Sequence, residues 1–443
     1  MKRPRMGRST KRVCYRDELL NAIGHHLPHC GLPLISVDLR VRWTDRILVS
    51  TALLMGWCAT QLQQDAFEES REAAVALYPS RRRPGRTLTG FLAALASNTG
   101  RLLLLVVRAL RRASEEVAGP RWRLGPWVLL SVDGSRVECP RTAANEQAFG
   151  CAGKKKTTPQ QFVTTVFHVA TGLIWDWRRG PGDDAERTHL RDMLVALPAL
   201  TLLLMDAGFT GYDLLRSVLA GGHQFIVRVG ANVRLLRKLG YAVEERRGTV
   251  YLWPQDRRGE PPLVLRRVRI HDGRREVCLL TSVQDEELLT DEQVASMYRL
   301  RWGIEVMYRS LKQTMGKRKM RSDTPEQARL ELDWAMVGLW MLGLVAIEQL
   351  NQAGHPPGRW SVAKALRAVR QAMRRATQPI TAGGLFGQLR RAVQDSYHRT
   401  GPKTARDWPR KKKERPPGVP QIRMAKKREI RQAQAFRAAE AAG

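Results

Sequence analysis

The sequence predicts an α/β protein in which a central mixed core is flanked by helical regions. Apolar residues recur at helical spacing through Ile47–Leu62 and Leu88–Leu110, so the N-terminal region is predicted to be helical. From Trp127 the pattern changes to short apolar runs without a helical period, which is typical of buried strands. Thr324 then begins a long apolar helix that runs to Ala346, which we expect in the core or at a dimer contact.

The charge balance indicates a polyanionic partner. Lys and Arg number 75 against 42 Asp and Glu, which gives a formal net charge of +33 over 443 residues, and 43% of the residues are hydrophobic. That hydrophobic fraction is enough for packed cores rather than disorder. A positive excess of this size is typical of nucleic-acid-binding proteins, although a protein that is basic for another reason has the same composition.

The cysteines and the N-terminal region favour a reduced, cytosolic chain without a membrane span. The six cysteines are scattered and form no Cys-x-x-Cys pair. No compact apolar segment of a signal peptide follows the basic start, and Ile47–Leu62 is too short and too interrupted to span a bilayer. The cluster His25-His26-x-x-His29-Cys30 suggests zinc, but its ligands are crowded and no second pair follows, so the sequence alone does not favour a metal there.

Two aspartates follow predicted buried strands. Asp133 comes directly after Trp127–Val132, and Asp206 comes directly after Leu200–Met205. Between these strands the sequence predicts a hairpin at Phe162–Val169 and Gly172–Trp175 and a helix at Ala185–Leu197. After them it predicts a helix from Thr210 and a further strand at Phe225–Val229. This is the order of a ribonuclease-H-like core, in which the first and fourth strands are neighbours. We therefore expect the two carboxylates to lie side by side.

The strongest pattern lies on a helix that Thr290 and Gln293 are predicted to open with a capping box. One face of this helix carries an aromatic ring, two cations and a carboxylate within roughly 60° of one another: Tyr298, Arg301, Lys312 and Glu305. A second stripe is apolar and is predicted to pack on the core: Met297, Leu300, Ile304, Met307 and Leu311. An ordinary amphipathic helix with one exposed ion pair shares this pattern, but the two aspartates upstream favour a functional site.

Three carboxylates in this order fit phosphodiester chemistry. Cleavage must stabilise an incoming and a leaving oxygen around phosphorus, and two metal ions about 3.5–4 Å apart can do this. Mg²⁺ prefers oxygen ligands, which Asp133, Asp206 and Glu305 would supply. Either aspartate taken alone is equally well explained as a turn residue at the end of a strand.

These residues resemble the insertion-sequence-four family of bacterial DDE transposases over roughly residues 125–350. The resemblance rests on Asp133-Gly134-Ser135, on Asp206-Ala207-Gly208-Phe209, and on Tyr298, Arg301, Glu305 and Lys312, which match the family's Y-R-E-K signature. It implies a DNA transposase in which the three acidic residues bind Mg²⁺ or Mn²⁺ as a pair of ions. It also implies that Tyr298, Arg301 and Lys312 contact phosphates of the transposon end.

The resemblance further implies two reactions on double-stranded DNA. A water first cuts the transposon end to leave a 3′-hydroxyl, and that hydroxyl then attacks target DNA. Family members act as homodimers bound to paired ends, so we expect the same of this chain, in the bacterial cytoplasm with the nucleoid. Lys154, Lys155 and Lys156 follow the first strand and are expected to line the DNA path.

The rest of the chain is interpreted as an insertion and two flanks. Residues 231–285 are strand-like and rich in turns, and predict a β-rich insertion. We expect an N-terminal helical DNA-binding region at 1–120, a catalytic core at 121–352, and a C-terminal helical region with a basic tail at 353–443. The tail contains Lys411–Lys413, which favours a flexible arm on DNA, although a solvated tail has the same pattern.

Two other functions remain open at this point. A structure-specific DNA nuclease on the same fold would share the carboxylates, but it would not need the face formed by Tyr298, Arg301 and Lys312. A non-enzymatic DNA-binding protein derived from a transposase would share the whole pattern. Inverted repeats in the DNA that flanks the gene would distinguish a mobile element from such a protein.

Overall fold

The computed structural model describes residues 13–27, 32, 40–60, 62–80, 83–152, 157–230, 241–244, 248–253, 260–271, 276–381, 383–395, 423–424 and 426–442. Several residues selected in the sequence lie outside this part of the chain: His29, Cys30, the run Lys154–Lys156 and the run Lys411–Lys413.

The N-terminal region is helical, as the spacing of its apolar residues predicts. The helices are α1 (Tyr15–His26), α2 (Asp45–Trp57), α3 (Gln63–Leu77) and α4 (Leu88–Ala118). Their apolar stripes meet in one core, in which the rings of Trp57, Phe67 and Phe91 are buried. Thr87 begins the longest of these helices, because its hydroxyl accepts a hydrogen bond from the Gly90 amide at 3.2 Å.

A mixed sheet forms the centre of the molecule. Its elements are β1 (Val128–Glu138), α5 (Ala143–Phe149), β2 (Gln160–His168), β3 (Leu173–Pro181), α6 (Glu186–Leu194), β4 (Thr201–Met205), α7 (Tyr212–Ala220) and β5 (Gln224–Val229). The strands lie in the order β3-β2-β1-β4-β5, with β1 antiparallel to β2 and parallel to β4. This order confirms the α/β fold with a ribonuclease-H-like core.

Strand β1 extends further than the sequence predicts. It was expected to end before Asp133, but its pairing with β2 continues to Glu138, and Asp133 lies opposite Thr165. Strand β4, which pairs with the other side of β1, already ends at Met205. Asp133 therefore lies where β1 loses its parallel neighbour but keeps its antiparallel one, and this is the position in the sheet that opens a space for a site.

The insertion continues the same sheet. Its strands are β6 (Tyr241–Glu244), β7 (Thr249–Trp253), β8 (Leu263–His271) and β9 (Glu276–Thr281). Strand β9 pairs antiparallel with β5, and the others follow outward in the order β8, β7, β6. The insertion is therefore β-rich as predicted, and it shares hydrogen bonds with the core instead of forming a separate layer.

The helix predicted to carry the Y-R-E-K residues is broken into segments. The capping box is present, since the Thr290 hydroxyl accepts from the Gln293 amide at 3.3 Å. The segments are α8 (Asp291–Leu300), α9 (Gly303–Arg309) and a π-helical turn at Ser310–Thr314. A Cβ on Gly303 would lie 3.1 Å from the Phe167 ring, so glycine lets α9 approach β2 closely. Leu300, the last residue of α8, is 46% exposed, so the prediction of a core position is wrong for this residue.

One apolar helix, α10 (Pro325–Gln352), runs through the core of the molecule. The indole nitrogens of its buried tryptophans donate to α4: Trp334 to Thr99 at 3.1 Å, and Trp340 to Ser114 at 2.8 Å. By length and composition alone, this helix and the stretch Leu88–Trp122 could each cross a membrane, among the residues described. The apolar window of α10 is 94% buried inside the protein, as expected of a core helix.

The C-terminal region packs on both the helical core and the insertion. Helices α11 (Val362–Arg374) and α12 (Gly384–Leu389) contact α1 and α10. Strand β10 (Arg423–Met424) pairs in parallel with β6, and α13 (Lys427–Ala442) follows it. Ile430 and Ala433 pack on Tyr251 and Trp253 of β7. Residues 423–424 and 426–442 therefore lie against the insertion, where a flexible arm was expected, because β10 pairs with β6 and two apolar residues of α13 pack on β7.

Candidate active site

The sheet brings Asp133 and Asp206 to the same place. Strands β1 and β4 are paired up to Ser131 and Leu204, two residues before each aspartate. Asp206 directly follows β4, and its carboxylate accepts a hydrogen bond from the Gly208 amide at 2.8 Å, which starts a short 3-10 turn. The Asp133 carboxylate accepts one from the Gly134 amide at 2.9 Å. Local backbone amides thus fix the orientation of both side chains.

The pKa of Asp133 shows that the acidic groups share one site. Burial, followed by the charge of Asp206 and to a smaller extent that of Glu305, raises the pKa of Asp133 to about 6. The Gly134 amide and the Arg301 guanidinium oppose this effect. The three acidic residues selected in the sequence are therefore within electrostatic reach of one another around Asp133.

Arg301 lies among these carboxylates. Its Nη2 donates to Glu305 Oε1 at 3.2 Å, and its guanidinium carbon is 5.9 Å from the centre of the Tyr298 ring. Burial works against the charge of Arg301, but Tyr298 and the carboxylates Asp133, Asp206 and Glu305 raise its pKa above the ordinary value. Burial also raises the pKa of Tyr298 to about 12, so its hydroxyl stays protonated. The break after α8 does not separate Tyr298 and Arg301 from Glu305.

Lys312 joins the site from the π-helical turn. Its Nζ donates to Ser135 Oγ at 2.7 Å, two residues along β1 from Asp133. Burial, and then the charge of Arg318, lower the pKa of Lys312, while Glu138 and Asp133 raise it. The hydroxyl of Ser135 therefore holds a half-buried ammonium group beside the carboxylates.

Tyr308 is a positioning residue that the sequence analysis did not select. Its hydroxyl lies 2.9 Å from the carbonyl oxygens of Asp133 and Val163 and 3.0 Å from Thr165 Oγ1. Burial raises the pKa of Tyr308 far above its ordinary value, so the hydroxyl keeps its proton as a donor. Since Tyr308 and Glu305 are both on α9, this contact fixes Glu305 relative to Asp133. In the sequence, Tyr308 looks like any apolar position of the helix.

A fourth carboxylate, Glu186, lies in the same place. It is in the first turn of α6, and two glycines leave room for it. A Cβ on Gly134 would lie 2.9 Å from Glu186 Oε2, and a Cβ on Gly208 would overlap Glu186 Oε1. Sequence reasoning missed Glu186 because an acidic residue in the first turn of a helix is common and needs no functional explanation.

The pKa of Glu186 places it in the electrostatic field of the aspartates. Burial, then Asp206 and Asp133, raise the pKa of Glu186 to about 7, while Arg187 and Arg136 lower it. Two carboxyl groups of this site thus have raised pKa values, chiefly because they are buried and in addition because the acidic groups repel one another. This cluster of carboxylates and its all-oxygen donor set fit a hard divalent cation.

Part of this chain is similar to known proteins. Residues 127–341 match the family model described as the transposase DDE domain. Over 245 residues, the chain is 30% identical to the transposase InsG for insertion sequence element IS4 of Escherichia coli (strain K12), which covers 52% of this chain and 54% of that protein. The chain therefore spans about half the length of this curated relative.

Among solved structures, the cryo-EM structure of a piggyBac transposase synaptic complex with hairpin DNA covers 89% of this chain and 85% of that chain, with a TM-score of 0.42 and 12% identity.

The segment that matches the family model, 127–341, contains both strand-end aspartates, Glu305 and the whole Y-R-E-K set. Both comparisons support the family resemblance seen in the sequence: residues 127–341 of this chain match the transposase DDE domain, and the chain is similar to the transposase of the IS4 element.

Proposed function

We propose that this chain is a metal-dependent DNA transposase that cuts the ends of a mobile element and joins them to target DNA. In the first reaction a water attacks phosphorus and the bond to the 3′-oxygen breaks, which leaves a 3′-hydroxyl and a 5′-phosphate. In the second reaction that hydroxyl attacks a target phosphodiester, forms a new P–O bond and releases a target 3′-hydroxyl. The family match at 127–341 and the IS4 relative support this proposal.

The electrostatic coupling of the acidic residues carries the proposal. Burial, and then the charges of Asp206 and Glu305, raise the pKa of the half-buried Asp133, and a bound divalent cation would relieve the repulsion between these carboxylates. We propose that Asp133, Asp206 and Glu305 hold two Mg²⁺ or Mn²⁺ ions, with Glu186 beside them. Bound ions would stabilise the charge on the phosphate and activate the attacking oxygen.

The cations of the site would bind the DNA strand that is cut. Arg301 pairs with Glu305 at 3.2 Å and faces the other carboxylates, so it is placed to neutralise a phosphate that enters between them. Lys312 is held by the neutral Ser135 hydroxyl, which leaves its positive charge for an anionic ligand. The protonated hydroxyl of Tyr298 can donate a further hydrogen bond to phosphate.

The remaining parts of the proposal concern partners outside this site. We propose that Lys154, Lys155 and Lys156 line the DNA path, and that the flanks 1–120 and 353–443 add DNA contacts, consistent with the net charge of +33. A homodimer would hold two element ends in one complex. The protein would act with the nucleoid in a bacterial cytoplasm.

Carboxylate variants test the metal site. Supercoiled plasmid that carries the gene with its flanking DNA is incubated with protein and Mn²⁺, and new 3′-ends are mapped by primer extension. Asp133→Asn, Asp206→Asn and Glu305→Gln should each give no detectable cleavage while they keep gel-shift affinity, because carboxylates hold metal whereas cations hold phosphate. Glu115→Gln, at an exposed position of α4, is the matched control. Normal cleavage by one of the three site variants would remove that residue from the proposed metal site.

Cation variants separate a transposase from a nuclease. Arg301→Ala and Lys312→Ala should weaken end-specific complexes and strand transfer of a pre-cut end more than they weaken binding to random duplex. Arg301→Lys should also be impaired, since an ammonium group cannot reproduce the paired donors of guanidinium. The exposed Arg299→Ala and Arg309→Ala, on α8 and α9, control for loss of charge alone. If the site variants match these controls, the cationic face is an ordinary solvated surface and a nuclease explains the site equally well.

A further inference from the structure

A second cluster of ligand-type side chains lies in the helical core, away from the carboxylates of the sheet. Helix α1 ends at His25 and His26, and Glu348 faces them from α10. His26 Nε2 is 3.2 Å from Glu348 Oε2, and His25 Nε2 is 3.6 Å from Glu348 Oε1. One ligand atom from each of the three residues lies within 4.8 Å of the other two. No other such group of three occurs among the residues described.

These distances fit a single metal ion between the three side chains. Zinc binds imidazole nitrogen and carboxylate oxygen at about 2.0–2.2 Å, so two ligand atoms on a tetrahedral ion are roughly 3.3–3.5 Å apart. The separations of 3.2 Å and 3.6 Å lie close to that value. Two imidazoles with one carboxylate form a ligand set that suits zinc, and one position is left for water.

The environment of the buried His26 nitrogen is a further indication. The His26 side chain is only 2% exposed, and its Nε2 has no hydrogen-bond partner among the described residues, although Glu348 is near. A buried polar atom without a partner is costly, so an unpaired nitrogen that faces a carboxylate calls for an explanation.

We propose that His25, His26 and Glu348 bind a zinc ion that fastens the end of α1 to α10. The other end of α1 is already held, because the Glu18 carboxylate accepts a hydrogen bond from the Leu385 amide of α12 at 2.6 Å. With zinc bound, α1 would be fixed at both ends on the helical core. The sequence alone does not reveal this site, since the third ligand comes from a helix more than three hundred residues further along the chain.

The test measures zinc binding by the full-length protein. Purified protein is stripped of metal, loaded with Zn²⁺ in the presence of excess Mg²⁺ to occupy the carboxylate site, and analysed by mass spectrometry for bound zinc. Wild type should hold one ion tightly and unfold at a higher temperature with zinc than without it. Cobalt in place of zinc should give the visible absorption of a tetrahedral site with nitrogen and oxygen ligands.

Two variants are chosen to fold normally. His25→Ala changes a side chain that is 64% exposed, and Glu348→Gln keeps the shape of the acid. Loss of a residue that only supports a metal ligand raises the Kd for the metal by roughly 10–100-fold. Each of these variants removes a direct ligand, so each should raise the Kd for zinc by more than that. The zinc-dependent rise in unfolding temperature should also disappear. His355→Ala and Glu115→Gln, both at exposed positions, should behave like wild type.

Asp133→Asn changes the carboxylate site of the sheet and should leave the zinc site intact. Zinc binding by this variant therefore tests the zinc proposal separately from the transposase proposal. If Asp133→Asn loses the tight zinc ion, or if His25→Ala and Glu348→Gln both retain it, the three side chains form only an ion pair and the proposal is rejected.

Discussion

Removal of one hydroxyl tests whether Tyr308 sets the geometry of the catalytic carboxylates. Tyr308→Phe keeps the ring but removes contacts of 2.9 Å to the carbonyl oxygens of Asp133 and Val163, and of 3.0 Å to Thr165 Oγ1. No cavity larger than the missing oxygen is created. The substitution therefore changes hydrogen bonding between α9 and the strands β1 and β2 and leaves the apolar packing in place.

The expected magnitudes follow from these contacts. Loss of a partner for a buried polar group costs about 1–3 kcal/mol, and the strand carbonyls can still accept bonds from the sheet, so we expect a loss of about 1–2 kcal/mol in unfolding free energy. Glu305 lies one helical turn from Tyr308 and loses its anchor to the Asp133 strand. A displacement of about 1 Å can lower a rate by about 100-fold, so we expect cleavage to fall by about 10–100-fold.

Two measurements separate these effects. Urea unfolding gives the change in stability, and the plasmid cleavage assay gives the change in rate at saturating Mn²⁺. The matched control is Tyr78→Phe, which removes a hydroxyl 3.1 Å from Ser50 Oγ in the N-terminal helical region. That control should lose stability without loss of cleavage rate. If Tyr308→Phe loses stability but cleaves DNA at the wild-type rate, Tyr308 is structural only and the reasoning fails.

Three further predictions concern charge and packing. Burial lowers the pKa of His168 to about 4, so wild type has its full stability above pH 6.5 and loses about 3 kcal/mol as the pH falls toward 4. The difference in unfolding free energy between wild type and His168→Gln should therefore become smaller as the pH falls over that range. A difference that stays constant with pH would contradict the prediction. The pKa of Glu186 is raised to about 7, so without divalent metal wild type should lose stability as pH rises from 5 to 8. Glu186→Gln should remove most of this loss of stability at high pH, and Mg²⁺ should reverse it in wild type. Urea unfolding in EDTA and in Mg²⁺ measures both effects. A Cβ on Gly134 would overlap the Phe162 ring, so Gly134→Ala should cost about 1–3 kcal/mol in urea unfolding, whereas Gly100→Ala, with open space around it, should not destabilise.

The parts of the site that depend on local pattern could be predicted from the sequence. A buried strand that ends before Asp206 and a capping box at Thr290 are local signals, and both are present. The exact end of β1 could not be predicted, because its continuation past Asp133 depends on pairing with β2, which lies further along the chain.

The missed residues depend on long-range packing. Glu186 becomes part of the site only because Gly134 and Gly208 leave space for it, and neither glycine is near it in the sequence. The helix breaks between Leu300 and Gly303, next to the close approach of Gly303 to Phe167, and helical periodicity does not contain this long-range contact. The apolar residues of α13 that pack on the insertion, Ile430 and Ala433, stand at helical spacing in the sequence. The many basic residues around them are also typical of a flexible arm, so this pattern alone does not predict the packing.

Pairing of β10 with β6 also protects the molecule from other chains. Without Arg423–Met424, the backbone N–H and C=O groups along the outer side of β6 would form an open edge, and such edges recruit strands from neighbouring molecules. Loss of α13 would in addition uncover the rings of Tyr251 and Trp253. A truncation intended to remove basic residues from the C-terminus would therefore create an aggregating surface, and reduced DNA binding by such a protein would report self-association as much as lost charge. Substitution of individual Lys and Arg residues in the full-length chain avoids this confusion.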